Sequence, residues 1–340
     1  MIDDSIDVEP PDETSDSTLQ LIDSISKGYV VPILGSAFGD DLIFGSHDKL
    51  VEGWAKYIKY PITAATSDSL NLPWLAQYDG VQKAGPAGKT VTVKQKYLKY
   101  LKAAIDSRAE KAWGVSEKRL KQVRSQAGSM TVSDLLRSYI HPSLDSEQEN
   151  PLLYLSYMPL PIYLTTSYHD CLEVALLEKG KKKPRTEICY WHEDLRGIRS
   201  VFEQDKNYTP TPEEPLVLHL FGWDEHPQSL VLTEDDCLDF LANVPGNDLA
   251  IPKVVKAHLT LSSVAMLGYR LRDWEFRVVF RGVIRALERI QGTCIAIQVE
   301  EASAAKAYLE KYMPLVAFDV VWKKPGEFIT ELYEGLGGSS

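Results

Sequence analysis

Read by the spacing of its apolar positions, the chain alternates between strands and helices. Leu19, Leu21, Ile22 and Ile25 recur at helical spacing and predict an amphipathic helix ending near Gly28. The run YVVPILG predicts a buried strand, and Gly35-Ser36-Ala37-Phe38-Gly39 a small-residue turn into a further helix. From residue 161 the alternation resumes. PIYLTT predicts a strand, CLEVALLEKG a helix closed by Gly180, and Lys181-Lys182-Lys183-Pro184 a loop. PLVLHLFG predicts a strand and TEDDCLDFLANV a helix N-capped by Thr233. LSSVAMLGYRL predicts a strand feeding a long helix to about residue 290, with Asp273 at its N-cap. CIAIQV, AAKAYLEKYM, VAFDVVW and PGEFITELYEGL complete the series as strand, helix, strand and helix. This alternation predicts an α/β fold: a mostly parallel sheet with helices on both faces. Ligands of such sheets bind beyond the carboxyl ends of the strands.

Residues 91–150 break the rhythm. Tyr97, Leu98, Tyr100, Leu101, Ala104 and Ile105 repeat at helical spacing, and Lys94, Lys96, Lys99, Lys102, Arg108 and Lys111 fill the opposite face. MTVSDLLRSYI predicts another helix, with Ser133 as its N-cap. The segment reads as a helical insertion whose basic face is expected to be solvated. At the start, Asp3, Asp4, Asp7, Glu9, Asp12, Glu13 and Asp16 mark residues 1–16 as a disordered acidic tail. The body then spans 17–335, and the closing Gly-Gly-Ser-Ser makes 336–340 linker-like.

Composition narrows the classes. A 340-residue chain with 44% hydrophobic and 25% charged residues is that of a globular protein. A formal charge of −11 speaks against direct nucleic-acid binding, which needs a basic face. No apolar run is long enough to span a membrane and the N-terminus is no signal peptide, so a cytoplasmic protein is expected. Cys171, Cys189, Cys237 and Cys294 form no Cys-x-x-Cys pair, so no zinc or other metal site is expected, only reduced, buried thiols.

The candidate chemistry sits at predicted strand ends. Thr165-Thr166-Ser167-Tyr168-His169-Asp170 is a polar cluster costly to bury without partners. The small residues of PILGSAFG would let backbone N–H groups approach a phosphate ahead of a helix N-terminus. His219 lies in a predicted strand, with Phe221 two residues on and so expected on the same face. Arg277, Arg281, Arg285 and Arg289 make a basic stripe at four-residue spacing, either a solvated face or an arginine-rich contact surface.

Together these segments resemble the sirtuin-like NAD-binding domains of a divergent prokaryotic branch. PILGSAF is similar to the family's first glycine-rich loop and LPWLAQY to the segment that follows it. LTTSYHDCLE resembles its Thr-Thr-Asn-Tyr-Asp motif. HLFG with SLVLTEDDCLDFL resembles its Leu-His-Gly strand and downstream helix, LGYRLRDWEFR its Gly-Tyr-Ser-Leu-x-Asp motif, and VAFDVVWKKPGEFITEL its closing strand and helix. The likeness covers about residues 18–335, in order. It implies a sirtuin-like Rossmann sheet, NAD as ligand or substrate, and helices in place of the zinc module of protein deacylases. It further implies an effector of antiviral defence that hydrolyses NAD to nicotinamide and ADP-ribose, acting as a homo-oligomer with a linked or associated sensor module.

The resemblance also assigns roles. Gly35, Ser36, Ala37 and Phe38 would cradle the phosphates, Thr165, Thr166 and Asp170 would shape the ribose pocket, Gly268 and Tyr269 would close its far side, and Gly222 is a further cofactor-binding position. Four positions depart from the pattern: Ser167 stands for asparagine, His169 for aspartate, Phe221 for the histidine of His-Gly, and Arg270 for the serine of Gly-Tyr-Ser. With Phe221 in the histidine position, His219 or His169 is expected to supply the acid–base group, with Ser167 as a hydrogen-bonding partner to water or a ribose hydroxyl. The competing expectation is a catalytically silent module that binds NAD or ADP-ribose, or serves oligomerisation.

Overall fold

A computed structural model describes residues 16–61, 70–84, 90–140, 150–270, 273–287, 292, 294–298, 310–314 and 318–338. Its centre is a seven-stranded sheet in the order β3-β4-β2-β1-β5-β6-β7, with every pairing parallel. The strands are β1 (Val30–Leu34), β2 (Ile162–Thr165), β3 (Arg185–Ile188), β4 (Leu216–His219), β5 (Ser263–Tyr269), β6 (Cys294–Gln298) and β7 (Asp319–Val321). The four central strands β4, β2, β1 and β5 are buried along their whole length, as expected of a sheet covered on both faces. Pro32 sits within β1 although it has no N–H to give to a ladder. The β1–β2 ladder begins only after it, at Ile33↔Leu164, while all five residues of β1 pair with β5. The architecture is the Rossmann-like α/β class expected.

Two apolar cores lie on the two sides of the sheet. One gathers Leu21, Ile25, Phe38, Trp54, Tyr97, Leu101 and Leu135 from the helices of the N-terminal half with Tyr163 and Val217 of the sheet. The other gathers Leu195, Phe240, Val255, Leu259 and Val279 beneath Ile33, Leu164 and Leu218. Between β1 and β2 run the helices Ser36–Phe44, His47–Tyr57, Leu72–Ala84, Thr90–Lys111, Glu117–Arg124, Val132–Ile140 and Pro151–Tyr157.

Several expectations are corrected. The basic face of the Thr90–Lys111 helix is only partly solvated: Lys99 and Lys111 are exposed, but the other four cations are engaged. Lys94 is buried, 2.9 Å from Asp236; Lys96 is 2.6 Å from Asp79; Lys102 donates to the carbonyls of Ala127 and Met130, and Arg108 to that of Ile43. The long stems reach neighbouring elements, so these four cations fasten the helix to the helices and loops around it. Thr131, not Ser133, caps the Val132–Ile140 helix: its hydroxyl accepts the Asp134 N–H while the Asp134 carboxylate accepts its own. Ser133 instead donates to Asp224 through both N–H and hydroxyl. Strand β3 carries no apolar run in the sequence, because three of its four residues, Arg185-Thr186-Glu187, are polar, the last of them buried. The helix after β5 does not run regularly: Trp274–Val279 passes into a π-helical turn at Phe280–Ile284, where Gly282 lies against the Phe240 ring. Gly180 does not supply the left-handed residue closing its helix; Lys181 does, at φ +56°. The acidic tail falls outside the described residues except for Asp16, which already opens the first helix. Arg289, most of AAKAYLEKYM, residues 141–149 of the insertion and residues 339–340 also lie outside them.

Candidate active site

Strand order places the site. From β1 the chain moves toward β2 on one side; from β5 it moves toward β6 on the other. The crevice beyond the carboxyl ends of β1 and β5 is therefore the topological switch point, where such sheets bind ligands. A cavity of about 420 Å³ opens there. Its polar wall includes Ser36, Asp40, His47, Thr166, Ser167, His169, Arg270, Asp273, Glu275 and Arg277, and its apolar wall Phe44, Val51, Leu72, Phe221, Val231 and Trp274.

The turn after β2 is held from both neighbouring strands. Thr166 N–H donates to the Leu34 carbonyl, Leu220 N–H to Thr165, and Asp224 N–H to Tyr168. The Thr165 hydroxyl accepts the Ser167 N–H, and the Tyr168 hydroxyl donates to the Val231 carbonyl. This pinning brings Thr166, Ser167 and His169 to the cavity. His169 is only 6% exposed. Its Nδ1 lies 3.5 Å from the Cys171 nitrogen, and its Nε2 has no partner among the described residues. Burial lowers the imidazole pKa below its ordinary value, more than the nearby Asp40 and Asp170 raise it. The ring is thus neutral at pH 7, and with Nδ1 facing an N–H the proton sits on Nε2. A buried donor without an acceptor is costly, and it borders an open cavity. Gly39 makes this approach possible: a Cβ there would stand 3.3 Å from the His169 ring and 3.6 Å from the Ser167 hydroxyl.

His219 is placed differently. It is fully buried at the last position of β4 and does not line the cavity. Its Nε2 is 2.8 Å from Glu173 and its Nδ1 2.8 Å from the Ser167 carbonyl. Burial opposes both charges, but the mutual attraction and hydrogen bond win, so the His219 pKa rises and the Glu173 pKa falls. The expected shared face of His219 and Phe221 fails, because β4 ends at His219 and the chain turns through Gly222 at φ +86°. Phe221 reaches the cavity and His219 does not.

The other expected residues divide likewise. Ser36 and Thr166 line the cavity; Gly35, Ala37, Phe38, Thr165, Asp170, Gly222, Gly268 and Tyr269 do not. Gly35 and Gly268 let β1 and β5 end in close contact, since a Cβ on Gly35 would stand 2.6 Å from the Gly268 carbonyl. Asp170 is turned away to Arg137, 2.9 Å from its Nε, tying the Val132–Ile140 helix to the turn. The Gly35–Phe38 turn does not present a free phosphate cradle. Gly35 N–H donates to Leu267, Phe38 N–H to Gly35, and Ser36 N–H to the Glu275 carboxylate at 2.7 Å.

Sequence reading missed two cavity groups, Glu275 and the Asp40–His47 pair. Glu275 accepts from Ser36 N–H, from the Ser36 hydroxyl at 3.0 Å and from the Thr166 hydroxyl. Withdrawal from water raises its pKa, only partly offset by these donors and His47. His47 Nδ1 is 2.8 Å from Asp40 Oδ2. Burial works against its charge, but the hydrogen bond and charge of Asp40 push its pKa up to about 9. The contribution of the pair to stability is full below the unfolded histidine value, about 6.5, and lost as pH rises through about 9. At 1.36 kcal/mol per unit this amounts to about 3 kcal/mol. The melting-temperature gap between wild type and His47→Gln is therefore expected to be widest near pH 6 and to close by pH 10; a gap independent of pH would contradict this coupling.

Among the described residues, no cluster of three or more His, Cys, Asp or Glu side chains is arranged to hold a metal, and no helix is long and apolar enough to cross a membrane. All four cysteines are free and buried. Residues 161–315 match the SIR2-like domain family. No curated protein matches the chain. The match runs from the residue before β2 to just short of β7 and so takes in the His169 turn, β4, β5 and Glu275; Ser36, Asp40 and His47 precede it. This stretch, rather less than half of the chain, is thus similar to SIR2-like domains, which bind NAD.

Proposed function

We propose that this SIR2-like domain binds NAD at the switch-point cavity and hydrolyses its nicotinamide–ribose bond, as an effector of prokaryotic antiviral defence. The observation that carries the proposal is the unpartnered His169 Nε2, buried beside the Ser167 hydroxyl at the cavity wall. An acceptor from a ligand satisfies that donor, and ribose hydroxyls offer such acceptors. The cavity volume, about 420 Å³, falls in the range of ligand sites, about 300–1,000 Å³.

The chemistry required is modest. The C1′–N1 bond breaks with its electron pair passing to the pyridinium nitrogen, so nicotinamide leaves neutral and needs no acid. Positive charge develops on the ribose, and carboxylates positioned before the reaction stabilise it. Asp40 and Asp273 line the same cavity as His169. Water adds to C1′ and loses its proton to a carboxylate or to solvent. His169 and Ser167 orient the ribose, and the wall formed by Phe221, Val231 and Trp274 suits the planar nicotinamide ring.

A silent binding module is the second reading. Phe221 favours it, since it lines the cavity in the place where the family resemblance puts a histidine. Both readings predict that NAD raises the melting temperature. With NAD at about 100 times its Kd the expected stabilisation is about 2.7 kcal/mol. An unchanged melting temperature at millimolar NAD would remove both.

A further inference from the structure

Three donors, two on the Gly35–Phe38 turn and one just past the end of β2, already hold an anion belonging to the protein. Ser36 N–H is the first amide of the Ser36–Phe44 helix, and it donates to Glu275 Oε1 at 2.7 Å. Ser36 Oγ donates to Oε2 at 3.0 Å, and Thr166 Oγ1 to Oε1. Donors from the ends of β1 and β2 thus converge on one carboxylate, brought across from the first turn of the helix after β5. The helix has a further reason to attract an anion there: Asp40 is its nearest internal acid, a full turn on, and its first turn carries none. The second observation is His169, whose buried and unpartnered Nε2 lines the same cavity and abuts the same helix at Gly39. Among the described residues the cavity therefore has a satisfied anion seat and an unsatisfied donor.

We propose that Glu275 is a specificity-determining residue: it is the resident anion of the Gly35–Phe38 turn, and a nucleotide phosphate seats on that turn only by displacing it. The proposal rests on the reading of the cavity as a nucleotide site. Two anions cannot share the Ser36 amide, so binding of a diphosphate must break the three Glu275 hydrogen bonds. Ligands lacking phosphate leave Glu275 in place. The freed carboxylate stays tethered to a helix whose Arg277 also borders the cavity, so a cationic neighbour is available on its own element.

The test is calorimetric titration of the full chain with ADP-ribose, which has no nicotinamide bond to cleave, and in parallel with adenosine. Glu275→Ala empties the seat and Glu275→Gln keeps its shape without its charge; melting curves establish that each is folded. ADP-ribose is expected to bind Glu275→Ala at least about tenfold more tightly than wild type, with Glu275→Gln between them and adenosine unchanged across the series. Equal or weaker ADP-ribose binding by folded Glu275→Ala overturns the proposal, as does a tenfold gain shared by adenosine, which would mean only an enlarged cavity. Absence of ADP-ribose binding in all three forms overturns it too. If ADP-ribose behaves as expected while no form releases nicotinamide from NAD, the hydrolase reading fails and the role of Glu275 stands.

Discussion

Replacing His169 by alanine is expected to lower nicotinamide release about 100-fold while moving the melting temperature by no more than a few degrees. The asymmetry follows from its surroundings. The His169 Nε2–H has no acceptor among the described residues, so removing it takes away a buried donor without breaking a hydrogen bond there. The lost ring leaves space in a wall that already borders a cavity, so the packing cost is small beside that of a sealed core position. In the NAD complex the same donor holds a ribose acceptor, and misplacing the sugar weakens the alignment of water with C1′. Steady-state nicotinamide assays with melting curves on the same samples check this. A variant that melts like wild type and turns over NAD at the wild-type rate would remove His169 from the site.

The opposite profile is expected for His219→Ala: a loss of about 3–5 kcal/mol of stability, a fall in melting temperature on the order of 10 °C, and activity that survives well below that temperature. His219 is sealed under the turn, its two nitrogens taken by Glu173 and the Ser167 carbonyl. Its removal leaves the Glu173 carboxylate buried and unpaired apart from Thr186, whose hydroxyl is 2.9 Å away. Pairing His219→Ala with Glu173→Ala is expected to recover part of the loss, because the stranded charge goes with its partner. An alanine variant as stable as wild type would show that the pair carries no structural weight. A folded His219→Ala protein as inactive as His169→Ala would restore His219 as a reacting group.

The contrast between the two histidines shows what the sequence made legible and what it could not. Strand and helix order was readable because buried parallel strands such as VVPIL, IYLT and SVAMLGY are continuous apolar runs, and Thr233 heads a capping box with Asp236. The polar turn after PIYLTT could be placed at a strand's carboxyl end by the same logic. Which of its side chains faces the cavity could not. That depends on where β4 stops and turns through Gly222, and on the close approach at Gly39 that brings a helix against His169. Glu275 and His47 carried no local signal. Glu275 sits in the first turn of a helix in a run that reads as an ordinary charged face, and only the crossing from β5 back to β1 brings it to Ser36. The lysines of the Thr90–Lys111 helix misled for the converse reason. Periodicity finds a polar face, but only the packed structure reveals that Asp236 and Asp79 wait for Lys94 and Lys96.

Nicotinamide release decides between a working site and a silent one. Purified chain, both as isolated and after crosslinking into assemblies, is incubated with NAD, and free nicotinamide and ADP-ribose are followed over time, with His169→Ala alongside. The expected result is equimolar nicotinamide and ADP-ribose from wild type in at least one of the two forms, reduced about 100-fold in the variant. NAD that raises the melting temperature yet yields no nicotinamide in either form would contradict hydrolysis and leave a nucleotide-binding module.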